Sequence, residues 1–111
     1  MANMGDLLWT PSKERAEDAN ITAFTAWLNE CGHSFKSYED VRRWSATDIE
    51  GFWEAIWRYF GVVSSTPHDC VLRQQKMPGA EWFPGARVNY IRALLSKGEG
   101  EKTAIYAAGE E

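Results

Sequence analysis

Apolar residues recur at helical spacing in several separate stretches of the chain. Ile21, Phe24, Trp27, Leu28 and Cys31 follow one another at three- and four-residue steps, which sets one apolar stripe on a helix that stops at Gly32. Thr10 and Pro11 can open this helix, because proline is preorganised for the first helical position and threonine can cap it. The polar run "SKERAEDAN" then either joins it or kinks at Asn20, so the first helix is predicted over 11–31. A second helix, 37–44, places Tyr38, Val41 and Trp44 on one side. Ser37 with Asp40 three residues on has the spacing of a capping box, with Asp in place of the usual Glu or Gln. A third, 47–60, opens at a Ser45 or Thr47 cap, with Asp48 and Glu50 in its first turn against the positive end of the helix dipole. Its apolar positions, 49, 52, 53, 56, 57, 59 and 60, form a stripe too wide for a single neighbour, so two elements must cover it. Gly51 inside it costs about 1 kcal/mol relative to Ala; it is either a tolerated surface glycine or the mark of a close backbone approach.

From Val62 to Gly85 the periodicity fades. "SSTPHD", "MPG" and "FPG" punctuate an extended loop in which "CVLR" is the one candidate strand. A loop of this length in a compact domain must pack on something. Helical spacing returns over 86–97 through Val88, Ile91, Leu94 and Leu95 and ends at Gly98. "GEGEK" is a turn or linker, and "TAIYAAGEE" reads as a strand from Thr103 to Ala107 or Ala108 running into a glycine turn. A single strand cannot satisfy its own backbone, so the chain is expected to be cut short at a hairpin. The prediction is a mainly α fold: a small helical domain over 1–98 with little strand, then a linker and strand at 99–111.

Composition narrows the function. The 111 residues, 44% hydrophobic and 25% charged, suit one small globular domain with one core. Six tryptophans make that core aromatic, and Trp53 and Trp57 are expected to build it. Burying a large apolar side chain contributes about 1.5–3 kcal/mol before entropy is subtracted. A net charge of −4 with no basic stripe argues against nucleic acid as a partner. No apolar run approaches the roughly 18–20 residues of a membrane span, and the first residues lack the pattern of a secretion signal; a cytosolic location is expected. Cys31 and Cys70 are then expected to be unpaired and half buried.

Residues that could carry chemistry are sparse. His33 and His68 are not at metal-ligand spacing and are expected to be exposed loop side chains. "SSTP" has neither the glycines nor the following lysine of a phosphate-cradling loop. His68, Asp69 and Cys70 are adjacent in sequence, which rarely makes side chains face one another. Neither catalytic, cofactor-binding nor metal-binding residues are predicted.

The segments "LWTPSKER", "ITAFTAWL", "YEDVRRWSATDIEGFWEAIWRYFGV", "EWFPGARVNYIRALL" and "TAIYAAGEE" resemble, in order and spacing, the N-terminal region of acetoacetyl-CoA synthetases, relatives of acetyl-CoA synthetase. The resemblance covers nearly the whole chain. It implies a parent ligase of the adenylate-forming superfamily that uses ATP, with Mg, to make an acyl-adenylate from acetoacetate and then transfers the acyl group to CoA. The motifs of that chemistry would lie downstream of Glu111, leaving this chain as an inactive helical cap with "TAIYAAG" as the first strand of the AMP-binding domain. On this reading Trp82, Phe83, Arg87, Asn89 and Tyr90 dock the cap onto that domain, and the isolated chain can self-associate through the bare surface. Arg87 either approaches the CoA entrance or pairs with an acid while Asn89 ties the "FPG" turn to backbone. The alternative class is a free-standing helical protein-interaction module.

Overall fold

The computed structural model describes residues 5–98, 100–103 and 105–109. It contains five helices among them: α1 (Lys13–Glu17), α2 (Asn20–Glu30), α3 (Tyr38–Thr47), α4 (Ile49–Tyr59) and α5 (Tyr90–Leu95). The fold is mainly helical, as the periodicity predicts. The chain forms two compact units, Met1–Phe60 and Gly61–Glu111, where the sequence reading takes 1–98 together.

In the first unit the helix predicted over 11–31 is two helices. Ser12 caps α1, its hydroxyl accepting from the Arg15 amide at 3.3 Å. The helix buries no residue and breaks at Ala19, whose extended backbone begins α2. The Thr22 hydroxyl spans the break by donating to the Ala16 carbonyl at 2.5 Å. At the other end of α2, Gly32 adopts φ 104. There the His33 amide donates to the Leu28 carbonyl at 3.1 Å and the Gly32 amide to that of Asn29 at 3.1 Å, a left-handed cap that glycine takes without a Cβ clash. Asn29 then fixes the connector, accepting from the Phe35 amide at 2.8 Å and donating to its carbonyl at 2.9 Å.

Ser37 and Asp40 form the predicted capping box at the start of α3. The Asp40 carboxylate accepts from the Ser37 hydroxyl and the Lys36 and Ser37 amides, which holds its pKa below the ordinary carboxylate value, the Ser37 side chain being the largest cause. Arg42, hydrogen-bonded at 2.7 and 2.6 Å to the Glu39 carboxylate, lowers the Glu39 pKa in the same way. A depressed folded pKa means that the Asp40 cap is fully stabilising above the unfolded carboxylate range and is lost as pH falls through the folded value. Ser37→Ala is expected to move the Asp40 titration midpoint, followed by carboxyl NMR shifts, upward toward the unperturbed value. A midpoint that stays in place would show that the amides alone set it.

The cap of α4 differs from expectation. Ser45 and Thr47 lie inside α3, donating to the carbonyls of Arg42 at 2.8 Å and Arg43 at 3.0 Å, as hydroxyls within helices do. Asp48 is the cap: its Oδ1 accepts from the Gly51 amide at 3.0 Å and its Oδ2 from Trp44 Nε1 at 3.1 Å. The same residue ends α3, its amide donating to the Trp44 carbonyl at 2.8 Å. The close approach at Gly51 is therefore to this carboxylate, since a Cβ there would lie 2.8 Å from Asp48 Cγ. Helix propensity alone favours Gly51→Ala by about 1 kcal/mol. The displaced cap reverses the sign, and thermal melts are expected to show the variant less stable than the parent.

α2, α3 and α4 pack pairwise on one another around Phe24, Leu28, Val41 and Ala55, with Trp27, Phe35, Trp44, Phe52, Ile56 and Tyr59 against them. Leu28 is 1% exposed. Phe24 meets the rings of Tyr59, Trp27 and Phe52 with centroids 4.9, 6.0 and 6.3 Å away, the geometry in which aromatic edges and faces attract. The core is aromatic as composition requires, but Trp53 is 40% exposed and Trp57 half-buried, so neither is its centre. The correction has a geometric cause: the α4 stripe is wide, and Phe52, Ile56 and Tyr59 of it, with Ala55 outside the predicted stripe, belong to the core that α4 shares with α2 and α3. His33 is likewise half-buried rather than exposed, stacked on Phe35 at 4.9 Å and tilted against Trp44 at 4.7 Å. Cys31, on the last turn of the stripe, is exposed, while Cys70 is half-buried, and both are free thiols.

In the second unit the expected loop is an irregular antiparallel pairing. Residues 64–73 run against 81–88 through bridges Ser64 to Val88 and Leu72 to Trp82, so "CVLR" does pair, over a single bridge. The Arg73 amide donates to the Glu81 carbonyl at 3.0 Å and that of Phe83 to Val71 at 2.8 Å. The Arg73 guanidinium spans Glu81 and Asp69, both at 2.9 Å. The helix predicted over 86–97 is confined to Tyr90–Leu95, because the backbone of Arg87 and Val88 is spent on the pairing with Ser64 and Ser65. In the tail, Thr103 and Ile105 to Gly109 have no strand pairing, and Ala104, Glu110 and Glu111 of the expected strand and turn lie outside the described residues.

Candidate docking surface

The five residues singled out for docking lie on the segment 82–90, and the second unit positions each by backbone chemistry. Trp82 is 44% exposed, beside its bridge to Leu72. Phe83, half-buried, has φ 46 although it precedes proline, a left-handed conformation costing of order 1–3 kcal/mol for a bulky residue. The surroundings impose it. The Phe83 amide donates to Val71, its carbonyl accepts from the Ala86 amide at 3.1 Å, and the Asp69 amide donates to the Pro84 carbonyl at 2.9 Å. Its ring stands edge-on to His68 at 5.2 Å, so His68, like His33, packs on an aromatic ring. Gly85 follows at φ 89, where a Cβ would come within 3.3 Å of Asp69 Oδ1 and the Pro67 carbonyl.

The turn is tied down by hydroxyls of "SSTP", which the sequence reading did not assign. Thr66 Oγ1 donates to the Gly85 carbonyl at 2.6 Å. Ser64 Oγ donates to the Thr66 carbonyl at 2.5 Å and accepts from the Arg87 amide at 2.9 Å. Asn89 instead caps α5, its Oδ1 accepting from the Arg92 amide at 3.1 Å. The expected pairing of Arg87 with an acid does not form among the described residues; its exposed guanidinium has no ion pair there. The signal for the hydroxyl ties was available, since a Ser/Thr cluster facing a Pro-Gly turn is a ready set of local hydrogen-bond partners.

Beyond Asn89 the surface becomes apolar. Tyr90 is 76% exposed, and Val88, Ile91, Leu94 and Leu95 are exposed with it. α5 buries none of its own residues, and adjacent exposed apolar side chains of this kind mark interaction surfaces. Among the described residues no three His, Cys, Asp or Glu side chains are grouped to hold a metal ion, and no described helix is long and apolar enough to cross a membrane. The "SSTP" hydroxyls are committed to protein backbone.

Three mutually packed helices, followed by a paired, proline-rich segment and a short helix with exposed apolar residues, make up a mainly helical chain. The chain belongs to the family described as acetyl-coenzyme A synthetase N-terminus, whose model matches residues 38–93. It is 32% identical over 107 residues to acetoacetyl-CoA synthetase of Macaca fascicularis and 33% identical over 107 residues to that of Gallus gallus, each match covering 94% of this chain and 16% of the relative. Among solved structures, acetoacetyl-CoA synthetase from Streptomyces lividans superposes with a TM-score of 0.70 at 40% identity, over 81% of this chain and 15% of that one. The chain thus spans about 16% of the length of the curated relatives it matches.

Proposed function

We propose that this chain serves as the N-terminal helical cap of an acetoacetate–CoA ligase, an enzyme that forms an acetoacetyl-adenylate from ATP and passes the acyl group to CoA in the cytoplasm. The observation that carries the reading is the match of 94% of the chain to acetoacetyl-CoA synthetases. The cap contributes no reacting group. Its work is to cover apolar surface of the downstream AMP-binding domain through Trp82, Tyr90 and the exposed face of α5, with Phe83 and Asn89 shaping the turn and helix start that present them.

A chimera tests this reading, with this chain replacing the matched N-terminal region of the Streptomyces lividans synthetase. The chimera is expected to be soluble and to form acetoacetyl-CoA with release of AMP, while the 111-residue chain alone forms none. Leu94→Asp in the chimera is expected to lower the yield of soluble, active enzyme, because a buried unpaired carboxylate at the interface is costly. Acetoacetyl-CoA formation by the chain alone would place the chemistry inside it. Full activity of a truncated synthetase lacking any cap would remove the docking role. The chain alone is further expected to self-associate through α5, seen as concentration-dependent light scattering that Leu94→Asp suppresses.

A further inference from the structure

Two of the chain's seven arginines stand apart from the rest. Arg42 and Arg43 face Glu39, and Arg73 faces Asp69 and Glu81. Arg15 lies over Trp9 and Arg58 over Trp27. Arg87 and Arg92 have neither a carboxylate nor a ring among the described residues, and they line the same cavity, of about 130 Å3, with Val63, Ser65, Val88 and Asn89. No acidic side chain lines it. Asn89 adds a further donor: its Oδ1 is held by the Arg92 amide, which leaves the Nδ2 hydrogens for another acceptor. The charged and amide groups offered are thus all donors, in a chain whose net charge is −4. The volume is roughly that of four waters, room for one tetrahedral oxyanion.

We propose that this cavity binds the phosphate of a phosphomonoester, with the guanidiniums of Arg87 and Arg92 and the Asn89 amide donating to its oxygens. Two positive charges match a dianion, and planar guanidinium forks match phosphate oxygens better than point charges do. A monoester carries the second charge above its pKa of about 6. A monoanionic carboxylate or phosphodiester leaves one guanidinium uncompensated. The site lies on the segment that presents the docking residues but does not depend on the ligase reading, because it is defined by this chain's own side chains.

The test is an NMR titration of the 111-residue chain with inorganic phosphate, phenyl phosphate, dimethyl phosphate and acetate, following the Nε–Hε signals of the arginines. Inorganic phosphate and phenyl phosphate are expected to shift Arg87 and Arg92 saturably, and phenyl phosphate more tightly at pH 7.5 than below its second pKa of about 6, where it is a monoanion. Dimethyl phosphate and acetate are expected to bind at least about tenfold more weakly. Arg87→Gln and Arg92→Gln, both at exposed positions, should each weaken phenyl phosphate by about tenfold, whereas Arg42→Gln leaves it unchanged. Acetate as strong as phosphate would assign the two arginines to carboxylates of a protein partner and overturn the proposal. So would binding of inorganic phosphate without phenyl phosphate, or equal, non-saturating shifts at all seven arginines.

Discussion

Phe24→Ala is expected to unfold the helical unit Met1–Phe60. The ring is 4% exposed and is the point where α2 meets Phe52 and Tyr59 of α4. Removing a buried phenylalanine costs about 3–5 kcal/mol through lost transfer energy and the cavity left behind. A single core in a domain this small rarely supplies more than about 3–5 kcal/mol in total, so the loss is of the same size as the stability. Urea titration followed by far-ultraviolet circular dichroism should show the helical signal of the variant reduced before denaturant is added. Trp53→Ala provides the contrast. The ring is larger, but at 40% exposure its truncation is expected to cost about half as much or less. If both variants melted like the parent, the packing of α2 on α4 would not be what holds the unit together.

The second large effect is expected at an exposed residue. Asp48→Ala removes the cap of α4, worth about 1 kcal/mol, together with the acceptor of the Trp44 indole, worth up to about 1 kcal/mol more at a partly exposed site. Asp48→Asn keeps an acceptor for the Gly51 amide and should recover most of the first contribution. The Trp44 Nε1–H resonance separates the two, because faster exchange with solvent in Asp48→Ala reports the lost indole bond independently of global stability. An unchanged exchange rate would mean that the Asp48 carboxylate does not hold the ring.

The helices that pack were legible in the sequence, because each carries its apolar residues at the period of the helix. α2 and α4 are followed within two residues by a glycine stop, whereas α3 has none and runs three residues past its predicted end at 44. Gly32 and the Ser37–Asp40 box are where the pattern places them. What escaped were choices between equivalent local partners. Ser45, Thr47 and Asp48 can all cap, and only tertiary geometry, the indole of Trp44 above the junction, selects Asp48. Trp53 was misplaced because a wide stripe does not say which of its edges meets a neighbour. In the segment 62–89 backbone pairing replaces periodicity, and the hydroxyls of Ser64 and Thr66 act on residues about twenty positions away, a distance over which composition carries no register. The five residues proposed for docking were singled out by their aromatic and Pro-Gly context. Arg92 was not, since an arginine on a short amphipathic helix looks the same whether or not an acid faces it.

Asp48 closes α3 with its amide and opens α4 with its carboxylate, so the junction has no spare residue. A corner without slack cannot absorb a change in chain length. An affinity tag or fluorescent-label loop inserted after Thr47 must separate the two capping roles and swing one helix away from the other. The same insertion in the exposed stretch 74–79, which belongs to neither helix and lies between the paired segments, lengthens a turn whose closure cost grows only slowly with added residues. That stretch is the place to attach a handle to this domain.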